Sequence, residues 1–444
     1  MIVRSALLVA FLASSSTAAG LAAAPEHGVL SRTTANGLRI VARHDPTAPA
    51  VAIRILVRAG VADEGRTPGI ARVTAWALFG ENESLSRERV AREIDAIGGS
   101  VTVDVTPDYT VIGCYTTDEA FEHATWVLAL ALRYASFDAR SLQIARSAAL
   151  AVAERERANA FEAAYLAVRE ALHDNSPYRL PFGGDPEAIA SIRRDAVAAF
   201  HRARYVPANV VVAVDGGVPA ERAIAVVERS FADMRGLPGP RPRWLAGADT
   251  RRPFDPPRSE RQVSGRSTVV ALGVRAPAVA SADYSAFVVV SAILGQGKAS
   301  RLFRRTREEM GLGYSVGVHL PALEGGGHMV AHIELAAERG VGDAERAERV
   351  LLQTVRSLTA SPPTSAEIAR AKRLLSGQWL LGRQRASDRA LQLGRATLAG
   401  AAAKAKDDLP AALQAVTTAD IQRVVRRYLS RHVIAVARPT PPTP

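Results

Sequence analysis

The sequence is poor in the residues that build covalent or metal frameworks. Cys114 is the one cysteine in 444 residues. No internal disulfide, zinc knuckle or iron–sulfur site can therefore be assembled, and a metal would have to rely on histidine and carboxylate. Lysine is nearly missing: Lys298, Lys372, Lys404 and Lys406 are the only ones among 56 basic residues. No aromatic-plus-basic reader motif accompanies the net charge of +12, and the arginines are scattered beside acids, as in Glu154-Arg155-Glu156-Arg157. That pattern argues against nucleic acid as a partner. After the N-terminal apolar run no stretch reaches the 18 charge-free apolar residues of a membrane helix. Gly295-Gln296-Gly297-Lys298 lacks the spacing of a phosphate-binding loop, and no G-x-S-x-G frame occurs.

What is present is ordinary globular composition, 48% hydrophobic and 23% charged. The length suggests two or three domains. Arg4, an apolar run from Ala6 to Ala13 and small residues up to Ala24 read as a secretory signal over residues 1–23. The expectation is an exported chain, periplasmic in a Gram-negative bacterium.

Residues 236–262 are rich in proline and arginine and read as a linker. Domains are expected over 28–235 and 263–437, with a disordered tail over 438–444. The halves repeat faintly. Val57-Arg58-Ala59 returns as Val274-Arg275-Ala276, 217 positions later, and the valine-rich runs Val210–Val214 and Val433–Val436 lie 223 apart. A period near 220 points to a duplicated unit. Amphipathic helical stretches are expected at Ser86–Ile97, Glu119–Tyr134, Ser141–Leu172 and Ser365–Leu398, with a hairpin formed by Ser100–Thr106 and Tyr109–Tyr115. Helices grouped beside hairpins predict an α+β fold rather than a doubly wound parallel sheet.

The order of motifs resembles the M16 family of pitrilysin, insulinase and processing-peptidase subunits. The matching residues are Val57-Arg58-Ala59-Gly60, Asp63-Glu64, Gly69-Ile70-Ala71, Leu78-Phe79, Ile94 to Gly99 and Asp108-Tyr109-Thr110. They continue through Ser176-Pro177-Tyr178, Gly184 to Ile189, Tyr205 to Asn209, Leu294-Gly295, Ser300 to Phe303 and Arg307 to Tyr314. The resemblance implies two homologous domains, each a mostly antiparallel sheet flanked by helices, the LuxS-like metallohydrolase fold. It also implies a chamber closed by two such chains or by one doubled chain.

Active members of that family carry an inverted zinc motif, H-x-x-E-H, on a helix, and a later glutamate as third ligand. Here the motif positions hold Arg72, Ala75 and Trp76, and the third-ligand position holds Val152. Arginine and the indole N–H offer no lone pair, and alanine and valine have no donor atom. No metal ligand and no catalytic residue is therefore assigned to this chain. Arg72 is expected to find an acid in place of the lost cation, and Trp76 to pack. His328 and His332 are too far apart on a strand, about 13 Å, to chelate one ion.

The resemblance implies a substrate-binding role for Arg307 and Tyr314. It suggests a non-catalytic subunit that forms the chamber and holds unfolded peptide for a partner whose own zinc cleaves it. The alternative is a structural or binding protein of the same fold with no role in proteolysis.

Overall fold

The computed structural model describes residues 28–82, 84–173, 175–235, 258–313, 315–336, 341–400 and 409–440. The expected signal, most of the expected linker, Tyr314 and the end of the tail lie outside these described residues.

Two sheets organise the chain. The first holds β1 (Val29–Thr33), β2 (Arg39–His44), β3 (Val51–Val57), β4 (Ser100–Val105), β5 (Thr110–Thr116) and β6 (Val210–Gly216), in the order β1-β2-β6-β3-β5-β4. The second holds β7 (Arg258–Val263), β8 (Thr268–Ala276), β9 (Ser315–His319), β10 (Gly327–Leu335) and β11 (Val433–Pro439), in the order β7-β11-β8-β10-β9. Apart from the additional edge strand β1 of the first sheet, the two agree position for position. β2 runs parallel to β6 as β7 does to β11, and every other neighbour is antiparallel. β6 and β11 occupy the same place in their sheets, so the 223-residue sequence repeat is a structural duplication. The architecture is a two-domain α+β fold with two mostly antiparallel sheets flanked by helices.

Central strands are apolar on both sides, because both faces of each sheet are covered. In β3, Val51, Ile53, Ile55 and Val57 meet helices of their own half, whereas Ala52 and Leu56 meet a helix of the other half. That second layer comes from two helix pairs. The first expected long helix is broken at Asn159, whose side chain accepts the Glu162 N–H and caps a new helix. The fragments are α2 (Ala139–Ala158) and α3 (Ala160–Leu172). The second expected long helix breaks after Gly382, giving Ser365–Leu381 and α4 (Ala386–Leu398).

In each case the second fragment crosses to the other half. α3 lays Ala164, Val168 and Leu172 on Val269, Ala271, Val433 and Ala435 of the second sheet. α4 lays Ala386, Ala390 and Leu393 on Val41, Leu56, Val211 and Ala213 of the first. Two glycines permit this packing. A Cβ on Gly273 would stand 2.1 Å from Val168 Cγ1, and one on Gly394 would stand 2.4 Å from Leu56 Cδ1. Each half thus lends a helix to its neighbour, and burial of both apolar faces joins them.

Two expected boundaries are corrected. Arg258 to Gln262, read as linker, form most of edge strand β7, and Arg438 and Pro439, read as tail, end strand β11 beside it. Their composition hid them: edge strand β7 tolerates charge, and the last two residues of β11 run past the end of its pairing with β8, where a missing donor is tolerated.

Candidate functional site

The positions that the resemblance assigns to zinc lie on α1 (Ile70–Trp76) and α2. Gly69 opens α1 in the left-handed region at φ +103, where Ile189 leaves no room for a Cβ. Glu64 reaches back under this turn. Its carboxylate accepts the N–H groups of Gly69 at 2.8 Å and Ala71 at 3.1 Å. Burial pushes its pKa up to about 8, against the pull of those two amides and of Arg72.

Arg72 is 9% exposed and points into the protein. It donates to the carbonyl of Phe182 at 3.1 Å, and its guanidinium carbon lies 5.4 Å from the centre of the Trp76 ring. The expected ion pair is not formed: among the described residues no carboxylate lies within 4.0 Å of it, and Nε has no partner. Glu64 attracts it only across a longer gap. The charge is held instead by a carbonyl and an aromatic face.

Ala75 is fully buried in an apolar cluster with Val61, Ala71 and Val105. Trp76 packs partly buried against the first core and donates its indole N–H to Val103 O of β4 at 3.4 Å. It thereby satisfies a carbonyl of an edge strand. Val152 sits half-buried on α2, and one turn on the Glu156 carboxylate lies against Gly183, where a Cβ would be 2.4 Å from Oε2. These residues do not fit a zinc ion. The four side chains offer no lone pair, and among the described residues no group of three His, Cys, Asp or Glu is placed to hold a metal.

Arg307 is exposed in a π-helical turn, Arg304–Glu309, and donates locally to Gly313 O at 3.0 Å. Its expected companion Tyr314 lies outside the described residues.

Other motif residues serve the frame. Gly60 lets the chain pass Pro107, whose carbonyl would be 2.4 Å from a Cβ there. Asp185 caps the helix Pro186–Ser191 through Ala188 N–H at 2.9 Å. Asp108 accepts the Tyr178 hydroxyl and the backbone N–H of Glu324 at 2.9 Å, while Arg58 pairs with the Glu324 carboxylate at 3.0 Å. This set, buried at Asp108 and Tyr178 and half-buried at Arg58 and Glu324, pins a loop of the second half to the first.

Sequence reasoning missed a second polar cluster, which α3 creates by crossing over. His328 on β10 is fully buried. Its Nε2 faces the Tyr165 hydroxyl at 2.6 Å and its Nδ1 faces His173 Nε2 at 2.9 Å. Arg169 is buried beside them. It donates to the carbonyls of Tyr178 and Leu180 and lies 3.6 Å from the centre of the Phe182 ring. Burial drives the His173 pKa down to about 3 and His328 well below its ordinary value, with Arg169 adding to both. His332 shares the α3-facing side of β10 but meets Phe161 rather than His328. The sequence signal was slight: His173 closes an amphipathic helix, and His328 follows three glycines.

Comparison with known proteins places this geometry. Residues 39–180 match the model of insulinase, peptidase family M16, and residues 191–375 match that of the peptidase M16 inactive domain. The chain is 28% identical over 382 residues to an uncharacterized zinc protease of Mycobacterium leprae, covering 85% of this chain and 84% of that one. It is 23% identical to an uncharacterized zinc protease of Bacillus subtilis, covering 92% and 98%. Two solved structures share the fold. A peptidase M16 inactive domain from Pseudomonas fluorescens superposes with a TM-score of 0.83 at 22% identity, over 93% of this chain and 98% of that one. A protease from Helicobacter pylori gives 0.84 at 18%, over 93% and 99%. The chain belongs to the M16 peptidase family, with Arg72, Ala75 and Trp76 standing where that family's inverted zinc motif is expected.

Proposed function

We propose that this chain is a non-catalytic subunit of an exported, heterodimeric M16-type zinc peptidase, forming one side of the chamber and binding peptide for an active partner. One observation carries the reading. The helix that would bear the zinc motif is intact and packed, yet Ala75 is fully buried among apolar side chains and the Trp76 indole is committed to Val103 O. The substitutions are built into the core, so the fold persists while the metal chemistry has no donors. Cleavage would need a second chain with its own zinc, bound by that chain alone. Arg307, exposed in the second half, is the residue of this chain assigned to peptide carbonyls. Among the described residues no helix is long and apolar enough to cross a membrane.

The test is co-expression with an exported homologue that carries an intact H-x-x-E-H motif, followed by a peptide-cleavage assay. Cleavage by the mixture should exceed that of the partner alone, and Arg307→Ala should reduce the gain. Equal cleavage by the partner alone would leave a structural or binding protein without a role in proteolysis. Stoichiometric, tightly bound zinc in the purified chain would contradict the loss of the metal site.

A further inference from the structure

Between the first sheet and the start of α4 lies an open cleft of roughly 660 Å³. Its floor is a row of three facing residues: Arg54 on β3 stands opposite Gly113 on β5, and Gly113 opposite Thr102 on β4. The Arg54 side chain lies flat along this row. It crosses Gly113, where a Cβ would be 1.5 Å from Nη1, and donates from Nη1 to Thr102 Oγ1 at 3.3 Å. Its Nε donates to the Ser387 carbonyl of α4 at 3.2 Å. The guanidinium is thus fixed at two corners, by one residue of each half. Its remaining nitrogen, Nη2, has no protein partner among the described residues, and no carboxylate lies within 4.0 Å of it.

The other charges in the cleft are accounted for. Arg389 is committed to Asp45 at 3.0 Å and Asp215 at 2.8 Å, and to the carbonyls of Arg383 and Gln384. Asp45 takes that ion pair together with the hydroxyl of Thr47. Arg385 is exposed at the mouth. Asp388 acts on Arg54 only at longer range, and burial disfavours the Arg54 charge as it stands. An anchored, half-buried guanidinium with a free edge and no counter-ion fits an incoming oxyanion.

We infer that Arg54, laid across Gly113, is a subsite for a carboxylate of a bound peptide. The inference rests on the reading that this chain holds peptide substrate, and it names a specificity within it. The cleft is too large for a simple ion, and Ser100, Thr102 and the half-exposed Tyr115 ring line the path along which a peptide segment would lie. The fork suits carboxylate and phosphate alike, but the single positive charge of Arg54 balances a carboxylate and leaves a phosphate dianion half neutralised.

The experiment uses the full chain without a partner. A fluorescent peptide with glutamates and a free C-terminus is titrated by anisotropy against the same peptide with glutamine and an amidated end. Inorganic phosphate at matched ionic strength is the competitor. The acidic peptide should bind saturably and the neutral one about tenfold or more weakly, and phosphate should not displace it. Arg54→Gln should remove this preference, Arg54→Lys should restore only part of it, and Gly113→Ala should weaken it by displacing the guanidinium. Arg385→Gln, at an exposed position, changes no core contact and should lower affinity only at low salt.

Equal affinity of both peptides, displacement by phosphate, or an unchanged preference in folded Arg54→Gln would overturn the subsite. Should Arg54→Gln not fold, the wild-type comparison of the two peptides and the phosphate competition decide it. Failure here is separable from failure of the accessory role. A chain that prefers acidic peptide through Arg54 but does not stimulate a partner keeps the subsite and loses the accessory reading. Stimulation that survives Arg54→Gln, with no peptide preference, does the reverse.

Discussion

Acid should loosen the joint between the halves, and the histidines under α3 set the size of the effect. His173 and His328 are neutral in the folded chain, with their pKa values driven down by burial, to about 3 for His173. In the unfolded chain each returns to about 6.5. Between those values the unfolded chain binds more protons than the folded one, so stability is full above the unfolded pKa and falls as the pH drops below it. From about pH 7.5 to about pH 5 His328 adds in the same direction, and the loss from His173 alone is about 2 kcal/mol. It depends on the unfolded value and on the folded value lying well below 5, not on how far below. Protonation within the fold finds little relief, since Arg169 and Arg275 are the charged neighbours acting on His173.

Glu64 works in the opposite direction. Its raised pKa makes stability fall as the pH rises from the ordinary carboxylate range towards about 8. The diagnostic quantity is therefore the difference between wild type and His173→Gln in urea unfolding at the two pH values. The variant should lose about 2 kcal/mol less than wild type on acidification, whatever its baseline stability. The same pH dependence in both proteins would refute the assignment of His173 as neutral and buried.

The helix exchange makes further outcomes specific. Gly394→Ala improves helix propensity, yet the added methyl meets Leu56, so it should destabilise by about 1–3 kcal/mol in thermal unfolding. Leu56→Ala in the same chain should relieve that clash, giving a non-additive double mutant. Arg301 grips Glu367 with two nitrogens at 2.7 and 3.0 Å and also bonds the Ser361 carbonyl, so Arg301→Ala should cost about 1–3 kcal/mol. Asp108→Ala leaves the Tyr178 hydroxyl and the Glu324 N–H without their acceptor, and should increase proteolysis at the junction of the halves, read by limited digestion. A chelator should leave the melting temperature of this chain unchanged, and a clear fall would reveal a structural metal.

Much of the frame was legible in the residues. Strand periodicity located the hairpin at Ser100–Thr106 and Tyr109–Tyr115, seen as β4 and β5. The repeated Val-Arg-Ala and the valine runs marked the duplication, because equivalent strands bury equivalent faces. The family resemblance supplied the positions expected to hold zinc, and side-chain chemistry then showed that Arg72, Ala75, Trp76 and Val152 offer no lone pair there. The ends of the second domain were less legible: β7 and the last residues of β11 carry the charge and proline of a linker and tail.

What only the tertiary structure decided is where each apolar face goes. The periodicity of residues 141–172 announces an amphipathic helix but says nothing about which sheet it covers, nor that Asn159 divides it. Once α3 crosses to the second sheet, Tyr165, His173 and His328 become one buried network over sequence separations of 155 and more. Once α4 crosses to the first, Ser387 meets Arg54 from 333 residues away and the cleft acquires its second wall. Local sequence fixes side-chain chemistry and helical or strand period. Hydrophobic burial is non-directional, so the partner of each face is settled only when the whole chain packs.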